Sequence, residues 1–179
     1  MAQNDGSDDR YAVAREALAQ LAMPVAIIAA EHDGRRSCAT GTAMYVSFAP
    51  PRLAIAQHPG SQTTALIEAS GRFSVSLLRD GQLQAALDAG HGAKTHDKFV
   101  ELGLEVLERP DAAPAVAGSA SVLWCDVVST SDAGDHRLYI GEVVAYELGE
   151  TQNPLIRHRR RYAALGEALS GIAPEGYPT

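Results

Sequence analysis

The sequence predicts a mainly β protein, an antiparallel barrel with few short helices. Three observations carry this. Most of the chain between Pro24 and Leu148 reads as extended segments separated by turn signals, the helical patterns are few and short, and the two do not alternate as in a doubly wound sheet. Closing an antiparallel sheet removes its exposed edges, which favours a barrel over an open sheet.

Taken in order, Asp9 can cap a first helix whose apolar positions Tyr11, Ala14, Leu18 and Leu21 recur at helical spacing. Pro24 starts an apolar run, Val25 to Ala30, which ends at the turn signal Asp33-Gly34 and reads as the first half of a hairpin. Further strands are expected over Ser37–Phe48, Leu53–Gln57, Arg72–Leu78, Ser121–Ser131 and Leu138–Leu148. In Arg72–Leu78 the residues Phe73, Val75 and Leu77 share one face, with Ser74 and Ser76 on the other. Short helices are expected over Ser61–Ala69, Gln82–Ala89 and His96–Leu102.

A length of 179 residues fits one domain, expected over 9–170, with 1–8 and 171–179 as loose ends. The net charge of −7 argues against nonspecific nucleic-acid binding, because neutralising phosphates supplies most of that affinity. No apolar run approaches the ~20 residues that span a bilayer, and the polar start MAQNDGSDDR does not read as a secretory signal. Cys38 and Cys125 make no CxxC pair. A cytoplasmic protein without membrane or nucleic-acid partners is the expectation. One segment stands against the acidic background: Arg157-His158-Arg159-Arg160-Arg161. It reads either as a solvated basic strand or as a local site for an anionic small molecule.

Common catalytic signatures are absent: no GxGxxG after the first strand, no GxxxxGK[ST] and no GxSxG. Histidines 32, 58, 91, 96, 136 and 158 form no HxH or HExxH spacing, so no metal site is expected. Three separated segments remain. The stretch Thr40–Pro51 is small and hydroxylated before a bulky end, and Gly41 would let backbone approach a flat ligand. Gly60-Ser61-Gln62-Thr63-Thr64 enters a helix, where Ser61 can serve as an N-cap and free N–H groups can bind phosphate. Asp132-Ala133-Gly134-Asp135-His136 lies between two strong strands and would serve equally well as a plain hairpin turn.

In this order the segments resemble the flavin reductase family with an FMN-binding split barrel, the short-chain NAD(P)H:flavin oxidoreductases of two-component monooxygenases. The most specific piece is Gly134-Asp135-His136-Arg137-Leu138-Tyr139-Ile140-Gly141-Glu142-Val143, similar to the family's GDH-x-L-(F/I)-x-G-E-V. Ser47-x-x-Pro50-Pro51, Gly71–Leu78, Lys98-Phe99 and Pro154-Leu155-Ile156 leading to Arg161-Tyr162 support it, and the likeness runs from about Leu21 to Leu165. The chain departs at Gly41-Thr42-Ala43, where the family usually carries Asn-(Ser/Ala)-Phe.

The resemblance implies a Greek-key split barrel and a homodimer with the flavin, FMN or FAD, in a groove between subunits. Ser61, Gln62 and Thr63 would hold phosphate through hydroxyl, amide and backbone donors, while Thr40, Gly41 and Thr42 would meet the isoalloxazine. Ser47, Lys98 and Asp135 belong to the matched motifs and are carried over as cofactor-binding. His136 would lie by the nicotinamide of NADH or NADPH as the catalytic residue, and Arg161 with Tyr162 would close that site. The implied activity is hydride transfer to flavin, with reduced flavin diffusing to a monooxygenase. Two other functions remain open on this fold: a non-reductase protein binding flavin or haem, and an enzyme whose tightly bound flavin acts on an organic substrate.

Overall fold

The computed structural model describes residues 7–92, 94–150 and 153–166. Helix α1 (Ser7–Leu18) begins before Asp9, which therefore sits inside the first turn rather than capping it. Of the expected loose ends, 7 and 8 start this helix, and the rest lie outside the described residues. The apolar face read from its spacing is uncovered: Tyr11, Leu18 and Leu21 are all exposed.

The chain continues through β1 (Met23–Pro24), β2 (Ala26–His32), β3 (Arg35–Gly41), β4 (Ala43–Phe48), β5 (Pro51–Gln57), α2 (Gln62–Ser70) and β6 (Arg72–Leu77). After a 3-10 turn at Asp80–Gln82 come α3 (Leu83–Ala89), α4 (Lys98–Leu102) and the short strands β7 (Val106–Leu107) and β8 (Ala115–Val116). The long strands β9 (Ser121–Ala133) and β10 (His136–Leu148) precede a final hairpin, β11 (Leu155–His158) and β12 (Arg161–Ala164). The predominance of antiparallel strands over short helices agrees with the fold class read from the sequence.

Asp33 and Gly34, with φ of 49° and 72°, form the expected tight turn of the first hairpin, a geometry that Asp-Gly adopts readily. Seven strands make one antiparallel sheet in the order β3-β2-β6-β9-β10-β5-β4, and β1-β11-β12 make a smaller one. The single strand expected over Ser37–Phe48 is two strands, broken at Thr42. The halves lie at opposite edges of the large sheet, β3 on β2 and β4 on β5. One residue joins those edges, so the sheet curls until β3 also meets β5 across a seam.

Side-chain alternation fills both sides of this curled sheet. Ile28, Ile55, Ile67, Phe73, Val75 and Tyr139 pack together on one side. Ile27, Leu78, Phe99, Val116 and Leu155 form a second cluster under α3, α4 and the final hairpin. Fully burying each of these aliphatic or aromatic side chains contributes about 1.5–3 kcal/mol. In β6 the face bearing Ser74 and Ser76 is buried as well. Ser74 Oγ donates to the Pro114 carbonyl at 2.5 Å, and the Val116 N–H donates to Ser76 Oγ at 3.0 Å. The serines thus satisfy the backbone of the segment that covers them.

Candidate functional site

A cavity of about 240 Å³ opens at the seam where β3 gives way to β4. Thr40, Gly41, Thr42, His136, Arg157 and Tyr162 line it. Five of these six were expected to meet a cofactor, and they come from three parts of the chain: the β3–β4 break, the start of β10 and the last hairpin. Thr40 turns its hydroxyl toward α3, donating to the Ala86 carbonyl, which leaves its backbone as the group facing a ligand. At Gly41 a Cβ would sit 3.1 Å from Gln57 Nε2 and 3.3 Å from Ile28 Cγ1. Neither of these buried side chains lines the cavity, so a side chain at 41 would press into the packing behind the seam.

His136 follows the Gly134 turn directly, where φ is 72°. Its Nδ1 lies 2.8 Å from Asp135 Oδ1, which fixes the imidazole and leaves Nε2 for another partner. That hydrogen bond, with the charge it brings, holds the exposed Asp135 carboxyl below the usual carboxylate range. The ring of His58 meets His136 edge-on with centroids 6.3 Å apart. The loop from His58 to Ser61 that opens α2 therefore stands beside the cavity. Tyr162 lies opposite Arg157 across the final hairpin and packs on the second core cluster.

The structure gives several hydroxyls and Lys98 contacts other than those the resemblance implies. Ser61 Oγ accepts from the Thr64 N–H at 3.1 Å and lies 2.8 Å from Thr64 Oγ1, which itself donates to the His58 carbonyl at 2.8 Å. The one hydroxyl hydrogen of Ser61 must then go to Thr64 Oγ1, so none remains for a phosphate. Ser61 is the helix cap. Thr63 is buried, its hydroxyl paired with Ser37 Oγ at 2.9 Å. What this turn can offer an anion is the Gln62 side chain and the unpartnered first-turn N–H groups of Gln62 and Thr63. Lys98 is buried, and its Nζ donates to the carbonyls of Cys38 at 2.7 Å, Ala89 at 2.8 Å and His91. All three donors are used in tying α4 to β3 and to the end of α3, so the ammonium cannot reach a cofactor. Burial lowers the pKa of this amine.

Ser47 lies elsewhere, in an apolar groove with Tyr45, Phe48, Leu53, Val143 and Tyr146. Arg161 is also outside the cavity at the seam, on the wall of a neighbouring cavity of about 580 Å³. The apolar residues Met23, Pro24, Val25 and Ala56 also line the seam cavity, and Arg157 is its charged lining residue that the sequence reading does not single out individually. Strand alternation puts it on the same face as Leu155, directly opposite Tyr162, and that is the signal that could have found it. Among the described residues, no group of three or more His, Cys, Asp or Glu side chains could hold a metal ion. No helix there is long and apolar enough to cross a membrane.

A family model described as Flavin reductase like domain matches residues 18–166. The chain belongs to the flavin reductase-like family. It is 34% identical over 152 residues to the reductase component of 4-hydroxyphenylacetate 3-monooxygenase from Thermus thermophilus, covering 84% of this chain and 94% of that one. A flavin reductase from Pseudomonas putida is 31% identical over 138 residues, covering 76% and 79%. Among solved structures, nitrilotriacetate monooxygenase component B from Mycobacterium thermoresistibile superposes with a TM-score of 0.84 at 24% identity, covering 94% of this chain and 95% of that one. That likeness speaks to the fold. Within the family motif, Gly141 has a packing role: a Cβ there would fall 2.5 Å from Phe73 Cζ and 2.8 Å from Cys125 Cβ.

Proposed function

We propose that this chain is an NAD(P)H-dependent flavin oxidoreductase that supplies reduced flavin, FMN or FAD, to a partner monooxygenase. The observation that carries the reading is the cavity at the seam, which Thr40, Gly41, Thr42, His136 and Tyr162 line together. Family membership and the relatives named as reductase components support it.

When bound, the two cofactors would supply the chemistry themselves, hydride transfer from nicotinamide C4 to flavin N5. The chain's part is to position. Backbone at Thr40–Thr42 would lie along the flavin ring, and Gln62 with the N–H groups opening α2 would take the flavin phosphate. His136, steadied by Asp135, and Tyr162 border the space where the nicotinamide would lie.

The homodimer belongs to the same proposal. Met44, Tyr45 and Phe48 of β4 and Val144, Tyr146 and Leu148 of β10 are exposed, and the rings of Tyr45 and Phe48 stack at 4.8 Å. An exposed apolar area of this kind supports burial against a second copy. The decisive experiment is NADH and NADPH oxidation with FMN, FAD and riboflavin supplied in turn. Turnover dependent on added flavin is expected, and its absence with every pair overturns the reading.

A further inference from the structure

The flavin reductase reading leaves one buried charge without a part. Lys98 is 3% exposed, and burial lowers its pKa, because an ammonium withdrawn from water loses hydration. Its Nζ reaches the backbone of Cys38 and Ala89, both members of the apolar cluster under α3 and α4, and its neighbour Phe99 is a third. An unbranched apolar side chain such as Met would fill this place without that cost. What only an ammonium supplies is three donors that hold three oxygens in one fixed arrangement.

Those oxygens belong to two elements that meet beside the seam. Cys38 is in β3, two residues before Thr40, while Ala89 and His91 close α3. The backbone groups of β3 point alternately at β2 and at the outer edge. Arg36 points outward, its N–H donating to the His96 carbonyl at 2.9 Å, so Cys38 and Thr40 point outward as well. Lys98 Nζ takes the outward Cys38 carbonyl at 2.7 Å. The next outward backbone is that of Thr40, at the cavity. The Thr40 hydroxyl adds a second tie, donating to the Ala86 carbonyl one turn before Ala89. A Cβ at Gly90 would lie 3.8 Å from that hydroxyl, so the end of α3 rests against β3 at this point.

We propose that Lys98 is a positioning residue for the flavin ring: with the Thr40 hydroxyl it clamps β3 to the end of α3, and so sets where the Thr40 backbone stands in the cavity wall. The inference rests on the reductase reading for its ligand. Lys98 touches no cofactor and acts through the Cys38 carbonyl and the two peptide links from Cys38 to Thr40. Without the clamp β3 can slide on α3, and misplacing a positioning group by about 1 Å costs up to about a hundredfold. The wall would meet the ring, which riboflavin and FMN share, so the effect falls on both alike. A phosphate contact would fall on FMN alone.

The test is titration of riboflavin and FMN with the full chain, read by flavin fluorescence, without a nicotinamide cofactor. Lys98→Met should weaken both equally, by at least about tenfold. Thr40→Val removes only the hydroxyl tie and should weaken both by about threefold or more, while Thr40→Ser keeps the tie and should cost no more than about twofold. Phe73→Leu loosens the other core cluster and is the stability control: it should lower the melting temperature and leave both affinities within about twofold. Unchanged riboflavin affinity in a folded Lys98→Met overturns the proposal, and so does a loss confined to FMN. An equal loss in Phe73→Leu overturns it too, since the site would then answer to stability in general. Should Lys98→Met not fold, Thr40→Val decides, and unchanged affinity there overturns the clamp. If the affinities fall as expected but neither NADH nor NADPH is oxidised with any flavin, the reductase reading fails and the clamp stands. If either nucleotide is oxidised but Lys98→Met binds riboflavin as the wild type does, the clamp fails and the reductase reading stands.

Discussion

Gly141 rests directly on Phe73: a methyl group at 141 would fall 2.5 Å from the ring's Cζ. The glycine of the family motif is thus a packing residue, in the middle of the strand that His136 begins. Gly141→Ala should destabilise the protein by about 1–3 kcal/mol through overpacking, lowering the melting temperature by roughly 2–4 °C per kcal/mol. Adding Phe73→Leu should recover part of the loss. An unchanged melting curve for the single variant would refute the packing role.

Ser61→Ala removes a cap whose hydrogen bonds all stay within the turn. The expected cost is about 1 kcal/mol of stability. Affinities for riboflavin, FMN and FAD should change alike in titrations at a temperature where the variant is folded. A loss confined to the phosphorylated flavins would show instead that the hydroxyl turns to the ligand.

His136→Ala should raise KM for the nicotinamide cofactor and slow flavin reduction by roughly tenfold or more, as expected when a positioning contact is lost. Flavin affinity should change less, because the ring wall at Thr40–Thr42 is backbone. Steady-state kinetics combined with flavin titration separates the two, and lost flavin affinity with an unchanged KM would reassign the residue.

Alkaline pH should weaken the fold. Burial pushes Cys38 up to about 11, Cys125 to about 12 and Tyr139 to about 12. Each binds its proton more tightly folded than unfolded, so the stability it contributes is complete below pH 9 for the thiols and below pH 10 for the tyrosine. That stability is lost as pH climbs toward about 12. Lys98 acts oppositely, since its lowered pKa makes the folded state shed a proton first, but three groups oppose one. Denaturant midpoints compared at about pH 8 and about pH 10.5 should fall with pH, more shallowly in Cys125→Ala. A midpoint that rises would contradict this assignment.

The extended segments were legible because alternation and turn residues are local signals. Asp33-Gly34 and Gly134 sit at the tips of hairpins as their chemistry requires. The break at Thr42 was not legible, because hydrophobic pattern continues through it while hydrogen-bond partners change from β2 to β5. The hairpin at 155–164 was hidden by its own charge, since its turn uses arginines in place of Asn-Gly. At the site, motif order placed Thr40–Thr42, His136 and Tyr162, which share a cavity. It could not show that Lys98 spends its donors on three carbonyls, or that Thr63 faces Ser37, because hydroxyl and ammonium orientation is decided by tertiary neighbours.

The joining of both sheet edges at Thr42 bears on how the protein acquires its site. Pairs such as Ile55 with Tyr139 close a loop of nearly half the chain, and such long-range pairings are slow because loop entropy is spent before contacts return it. The cavity at the seam needs β5 paired with β10, because Ala56 of β5 and His136 of β10 both line it. Its lining runs from Met23 to Tyr162, so a nascent or truncated chain ending before β10 would lack His136, Arg157 and Tyr162 and have no complete pocket to load.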